Sequence, residues 1–267
     1  MNIVVCIKHV PDATANRQFN NDFTVDRVGV DGLLSELDEY AMEQALRIKE
    51  ARTADEVAVI ALTIGPEKAA DALRKALQMG ADEGVHVLDE AIAGSDAVAT
   101  SLILSRAIHT VADKSGAVDL VICGMASTDA SMSVVPAMLA ERLDWPQVTL
   151  AAVVETQGAE VRIKRDGDAA TEVIGATMPV VLSVTDQSGE ARYPSFKGIM
   201  AAKKKPVALW SLSNIGVEPS AVGAAAAWTS VTEVIQRPAR SAGEIVVDAE
   251  GSGAAALTEF LSAGKFV

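Results

Sequence analysis

Cysteine, histidine and aromatic side chains are scarce in this chain, and so is positive charge. Two cysteines, three histidines and an aromatic fraction of 4% accompany a formal net charge of −13 over 267 residues. Cys6 and Cys123 both fall inside apolar runs, with no paired spacing for a metal or a redox motif. They read as core thiols of a protein kept in a reducing, cytoplasmic compartment. His9, His86 and His109 share no metal-ligand spacing and read as structural. The acidic balance argues against nucleic acid as a partner, because a phosphate backbone needs a basic face. No apolar run approaches the roughly 18 residues that span a bilayer, and the opening segment has neither a basic leader nor a cleavage pattern. The motifs of common nucleotide chemistry are missing too. There is no G-x-G-x-x-G after the first strand, no G-x-x-x-x-G-K-[ST], and no nucleophile elbow in a Ser–His–Asp order, which sets aside dinucleotide, P-loop and triad chemistry.

What the chain does have is apolar residues, 49% of the total, with alanine and valine prominent, as in layered proteins with tight helix-on-sheet packing. Apolar runs at 2–7, 57–63, 84–88 and 119–123 read as buried strands. Each is followed by a helical pattern: from Ser35 or Asp38 to about Ala51, from Ala69 to the stop at Gly80, over 96–113, and from Val134 to Leu143. This alternation predicts an α/β fold, a doubly wound, mostly parallel sheet of the Rossmann-like type that binds adenine nucleotides. Residues 13–35 look irregular or hairpin-like. After Trp145-Pro146, short pieces at 148–156, 160–165, 171–175 and 180–184, with turn signals at Gln157-Gly158 and Asp166-Gly167, read as added β-hairpins. Beyond Pro206 the pattern fades into an extended C-terminal arm with a short amphipathic end at Leu257–Leu261. The expected organisation is therefore an α/β domain over residues 1–205 and an arm over 206–267.

In a doubly wound sheet, ligands sit at the carboxyl ends of the strands, near the point where strand order reverses. The strand ends at Cys6–Lys8, Thr63–Gly65, Asp89–Asp96 and Gly124–Ser133 are therefore expected to line one crevice. The last carries the strongest signal. Asp119–Gly124 feeds a helix through the small, polar loop Met125–Ser133, which leaves backbone N–H groups at a positively polarised helix start, a seat for a phosphate. The plainer alternative is a turn in which Ser131 or Ser133 merely caps the helix. Asp12 and Asp129 both lie near strand ends and are read as holding loops or ligand hydroxyls. Residues alone thus point to an α/β protein that binds an adenine-type nucleotide and has no evident catalytic machinery.

Several separated segments, in order, resemble the beta subunit of electron transfer flavoproteins. Ile3-Val-Val-Cys-Ile-Lys-His-Val-Pro-Asp12 is similar to the family's V-x-V-K-x-V-P-D start. Asp38–Glu50 resembles its E-x-A-x-E-E-A-x-R-L-K-E helix, and Gly65-Pro66 with Leu73–Asp82 resembles G-P followed by L-R-x-A-L-A-M-G-A-D. Arg192-Tyr-Pro-Ser-Phe-Lys-Gly-Ile-Met-Ala-Ala-Lys-Lys-Lys205 matches the most diagnostic run, R-[YF]-x-x-x-x-x-I-M-x-A-K-K-K, and Arg237–Gly243 matches the R/K-x-A-G close. Two positions depart from the pattern: the nucleotide loop has Asp129-Ala-Ser131 where D-D-D or D-G-D is usual, and Ser35-Glu36 replaces an N-P pair.

The resemblance implies a heterodimer with an alpha subunit that carries the redox-active FAD. It implies that this chain holds a structural AMP, or in electron-bifurcating members a second FAD. The family accepts electrons from flavin dehydrogenases, such as the acyl-CoA dehydrogenases of fatty acid oxidation, and delivers them to a quinone oxidoreductase or another acceptor. Such a chain is a carrier subunit, not an enzyme with its own turnover. Carried over, nucleotide contacts fall on Cys6, Ser35 and Thr63, on Asp96 and Thr100, and on Gly124, Ser127, Asp129, Ser131, Met132, Ser133, Val134 and Val135. Partner docking falls on Arg192, Tyr193, Phe196, Ile199 and Met200, with Phe196 as the apolar anchor. The arm from 206 is expected to embrace the alpha subunit. A stand-alone adenine-nucleotide sensor of the stress-protein type has a similar sheet and remains the reading from a different class.

Overall fold

The computed structural model describes residues 1–15, 17–53, 56–235, 238, 243, 245–248 and 251–266. The apolar runs become strands β1 (Asn2–Cys6), β4 (Ala58–Ile64), β5 (Glu83–Val87) and β6 (Val118–Gly124), with β2 (His9–Pro11) and β3 (Gly32–Leu34) as a short antiparallel pair after β1. Between them run helices α1 (Glu36–Ala51), α2 (Ala69–Met79) and α3 (Ala97–Ser115), and α4 (Val135–Leu143) follows β6. The chain continues through β7 (Gln147–Ala151), β8 (Val153–Gln157), β9 (Glu160–Asp166), β10 (Thr171–Thr177) and β11 (Val180–Val184) to a short helix α5 (Phe196–Ala202) and strand β12 (Val207–Trp210).

Seven strands form one parallel sheet in the order β12-β5-β4-β1-β6-β11-β7. Its strands are apolar on both faces, as burial between two helix layers requires. Ile3, Val5, Val59 and Ala61 point into the core shared with α1 and α2, and Val4, Ile60, Leu62 and Val121 into the core shared with α3 and α4. Strand order reverses at β1: β4 and β5 build outward on one side, and the chain then crosses to β6 on the other. The doubly wound expectation holds.

Two parts of the sequence reading are refined. The run 148–156 is not one hairpin strand. Leu150 adopts a left-handed backbone with φ of 61°, and its N–H is taken by Ser183 Oγ at 2.9 Å. The chain thereby leaves the parallel sheet after β7 and enters the antiparallel sheet β10-β9-β8, whose Val161 and Ile163 pack into the α1 side of the core. The second refinement lies past Pro206. Val207–Trp210 pairs in parallel with β5 at the sheet edge, and Leu212, Ile215, Val217 and Val222 are buried in the α3 side of the core. The first compact unit accordingly runs from Met1 to Thr232 and the second from Glu233 to Val267, where helix α6 (Gly253–Ala263) is described. The Arg237–Gly243 match lies, apart from Pro238 and Gly243, outside the described residues.

Candidate functional site

The reversal of strand order opens a crevice between the carboxyl ends of β1 and β6, the place where such sheets receive ligands. Gly124 ends β6 there because nothing larger fits: a Cβ would lie 2.6 Å from the Leu37 carbonyl at the start of α1. Next to it Asp38, in the first turn of α1, is buried and accepts the Lys8 N–H at 2.9 Å. Burial pushes its carboxyl up to about 7, against the opposing pull of the Lys8 and Gly124 N–H groups and the Lys8 charge.

The loop between β6 and α4 is pinned by cations from elsewhere. The Asp129 side chain is 2% exposed, and Lys8 Nζ lies 3.0 Å from both of its oxygens. Arg27 Nη2 adds a close charged hydrogen bond to Oδ2. Burial alone would raise the Asp129 pKa, but the Lys8 charge and the hydrogen bonds from Arg27 and Ser127 outweigh it and hold the carboxyl well below the usual carboxylate range. Arg17 donates to the carbonyls of Thr128 and Asp129. Three cations thus converge on one loop of a chain whose net charge is −13.

Ser131 and Ser133 both sit in the left-handed region, at φ of 52° and 57°. Side chains other than glycine rarely adopt that conformation, and it clusters at ligand clamps. The capping alternative is corrected: Val134 occupies the N-cap of α4, no side chain among the described residues caps it, and Pro136 in the first turn has no N–H to satisfy. The start of α4 therefore presents bare donors beside Ser133, Val134 and Val135, with Met132 half exposed.

Two hydroxyls behind the loop have no partner among the described residues. Ser35 Oγ and Thr63 Oγ1 are fully buried and make no hydrogen bond. Ser35 stands at the N-cap of α1, as the sequence suggested, but its hydroxyl makes no cap bond. A buried hydroxyl without a partner costs roughly 1–3 kcal/mol, so these two fit a polar ligand group in the crevice. Cys6 closes β1 with its thiol against that of Cys123; this hydrogen bond and burial push the Cys123 thiol up, and both cysteines are free. Asp12 accepts from the N–H and Oγ1 of its neighbour Thr14, so it shapes its own loop.

The structure thus gathers Cys6, Ser35, Thr63, Gly124, Ser127, Asp129 and Ser131–Val135 around the carboxyl ends of β1, β4 and β6. Asp96 and Thr100 open α3, which follows β5, two strands from β1. Asp96 Oδ1 caps α3 through the Ala99 N–H, and Oδ2 accepts from Trp228 and Thr229. Sequence reading placed Lys8 at the crevice as part of a strand end, but missed Arg17, Arg27 and Asp38 as members of it. Lys8 had a signal in its place directly after a buried strand. The two arginines had none, since they arrive on an irregular loop that folds back over more than a hundred residues.

The other predicted cluster lies elsewhere on the same unit. Tyr193 and Phe196 are 90% and 80% exposed, Ile199 and Met200 less so, while the Arg192 guanidinium turns onto α1. α5 lies against α2 because residue 198 is glycine: a Cβ would stand 2.5 Å from the Gln78 carbonyl. Among the described residues no helix is long and apolar enough to cross a membrane, and no group of three His, Cys, Asp or Glu is placed to hold a metal ion.

Fold and crevice define a doubly wound α/β protein whose working edge is the carboxyl end of a parallel sheet. Comparison with known proteins narrows the class. A family model described as the electron transfer flavoprotein domain matches residues 22–215. The chain is 44% identical over 269 residues to the electron transfer flavoprotein subunit beta of Mycobacterium tuberculosis, covering 100% of this chain and 99% of that protein. It is 43% identical, with the same coverage, to the subunit of the same name from Mycobacterium leprae. It is 35% identical over 246 residues to the caffeyl-CoA reductase-Etf complex subunit CarD of Acetobacterium woodii, covering 92% of each. The chain belongs to the electron transfer flavoprotein family, among its beta subunits.

Proposed function

We propose that this chain is the beta half of a heterodimeric electron carrier, binding AMP as a structural ligand in the β1–β6 crevice and presenting α5 to electron-donating dehydrogenases. The observation that carries the nucleotide part is the pair of buried, unpartnered hydroxyls, Ser35 Oγ and Thr63 Oγ1, at the strand-order reversal. A phosphate would meet the bare N–H groups at the start of α4 and the cations held around Asp129. FAD, held mainly by the alpha subunit, supplies the redox chemistry when bound. The residues of this chain hold the nucleotide, exclude water from the crevice and orient the docking surface. The same N–H groups and cations would also serve the pyrophosphate of a second FAD, whose charge is about that of a phosphate monoester at neutral pH.

Exposed aromatic side chains are common anchors of transient protein contacts, and Phe196 is the exposed aromatic that α5 itself carries. Stopped-flow reduction of the heterodimer by a reduced acyl-CoA dehydrogenase tests the docking role. Phe196→Ala should slow reduction about tenfold, equivalent to ~1.4 kcal/mol, with nucleotide content unchanged. An unchanged rate would remove the docking assignment. The isolated chain should accept no electrons.

A further inference from the structure

Arg192 stands at the root of the exposed segment, and its side chain faces inward. Nε donates to Glu43 Oε2 at 2.7 Å and Nη2 to Glu43 Oε1 at 3.1 Å, while Nη1 and Nη2 reach Glu50 at 2.5 and 3.0 Å. The Arg192 backbone N–H also donates to Glu43, at 3.1 Å. Glu43 is buried and takes a further hydrogen bond from Arg47 Nε at 2.8 Å. Arg47 and Gln44 in turn hold the carbonyls of Glu190 and Ser188, at 3.1 and 2.7 Å. One side of α1 therefore grips residues 188–192, immediately before the exposed Tyr193 and Phe196. Beyond them, Ser195 Oγ accepts the Gly198 N–H at 3.0 Å, and Lys205 Nζ reaches the Leu77 carbonyl at 2.9 Å.

With the Arg192 side chain 32% and Glu50 59% exposed, these ion pairs contribute little to stability by themselves. What a planar fork shared by two carboxylates adds is direction. The first turn of the same helix carries Asp38, with Ser35 just ahead of it, so one rigid element touches both the crevice and the root of the docking segment.

We propose that Arg192 is a positioning residue: through Glu43 and Glu50 it latches the docking segment to α1 and fixes the direction in which Tyr193 and Phe196 meet the electron donor. This rests on the docking reading of α5, and the experiment separates the two. In the intact heterodimer, amide hydrogen exchange over 193–202 reads the latch, and kinetics with a reduced acyl-CoA dehydrogenase read docking. Arg192→Gln should speed exchange over 193–202 about tenfold, with the α1 amides unchanged, and raise KM for the dehydrogenase about tenfold, more than it alters kcat. Arg192→Lys keeps the charge but not the fork and should show smaller changes in the same direction. Glu50→Gln, which removes only a solvent-facing partner, guards against a variant that misfolds and should also speed exchange. Unchanged exchange in Arg192→Gln and Glu50→Gln would overturn the latch. Faster exchange with an unchanged KM would overturn the positioning role, and if Phe196→Ala were equally silent the docking reading would fall with it.

Discussion

Ser35 Oγ and Thr63 Oγ1 are polar atoms in places where polar atoms are costly. If they serve only the fold, removing them relieves an unmet hydrogen bond. If they serve a ligand, removal leaves that ligand short of a partner. Thr63→Val keeps the shape of the side chain and separates the two effects. The nucleotide-stripped heterodimer should melt at the same temperature or higher, while nucleotide affinity falls by about 1 kcal/mol, roughly fivefold. Calorimetry and a thermal melt check this, and an equal loss in both would assign the hydroxyl to packing. Asp38 makes a prediction of a different kind. Its folded carboxyl titrates near 7 against an ordinary value of 3.8, so across that window the folded chain keeps a proton that the unfolded chain has released. Its contribution to stability therefore falls as pH rises through the window, by at most about 1.4 kcal/mol per pH unit, and levels off above it. Asp129, depressed by its cations, acts at the acid end, and its contribution is lost as pH drops below the ordinary aspartate range. Asp38→Asn should flatten the slope between the two values without touching the acid limb, as denaturant melts at either end of the window would show. An unaltered slope would place the titration elsewhere.

The elements best read from sequence were those in which one signal ran the full length. β1, β4 and β6 are dominated by apolar residues, β5 is a shorter apolar piece around His86, and the helices after them keep one apolar face to a defined stop such as Gly80, which takes φ of 148°. β12 escaped because it is a four-residue edge strand with Val207 and Leu209 turned outward, and the apolar residues after it obey no period. The break between β7 and β8 escaped because nothing about a leucine announces the left-handed backbone of Leu150. The loop at 124–135 was legible from its composition, whereas Arg17 and Arg27 were not, because they reach it by tertiary folding alone. α5 offers a test at this scale. Gly198→Val would drive a side chain into the Gln78 carbonyl and lift α5 from α2, an overpacking cost of about 1–3 kcal/mol. Electron acceptance from the dehydrogenase should drop while bound nucleotide is retained, and loss of nucleotide instead would mean that α5 supports the crevice.

At the scale of the whole molecule, an acidic chain brings Lys8, Arg17 and Arg27 together at one crevice and exposes Tyr193 and Phe196 at the short helix α5, and α1 touches both places. That division of labour suits a carrier subunit that binds a nucleotide permanently and its partners briefly. The family was legible because the conspicuous segments at 3–12, 38–50, 65–82 and 192–205 are the parts that build β1, α1, α2 and the exposed helix α5. Ligand identity was not, since phosphate seats built from backbone N–H groups leave little trace in side chains. The central claim is that this chain carries its own structural nucleotide, and the most direct test is to purify it with its alpha subunit, denature the complex and weigh the released nucleotides by mass spectrometry. The account predicts AMP and FAD in equal amounts. FAD alone, at two for each heterodimer, would contradict the AMP assignment, and release of no nucleotide beyond a single FAD would contradict the claim itself.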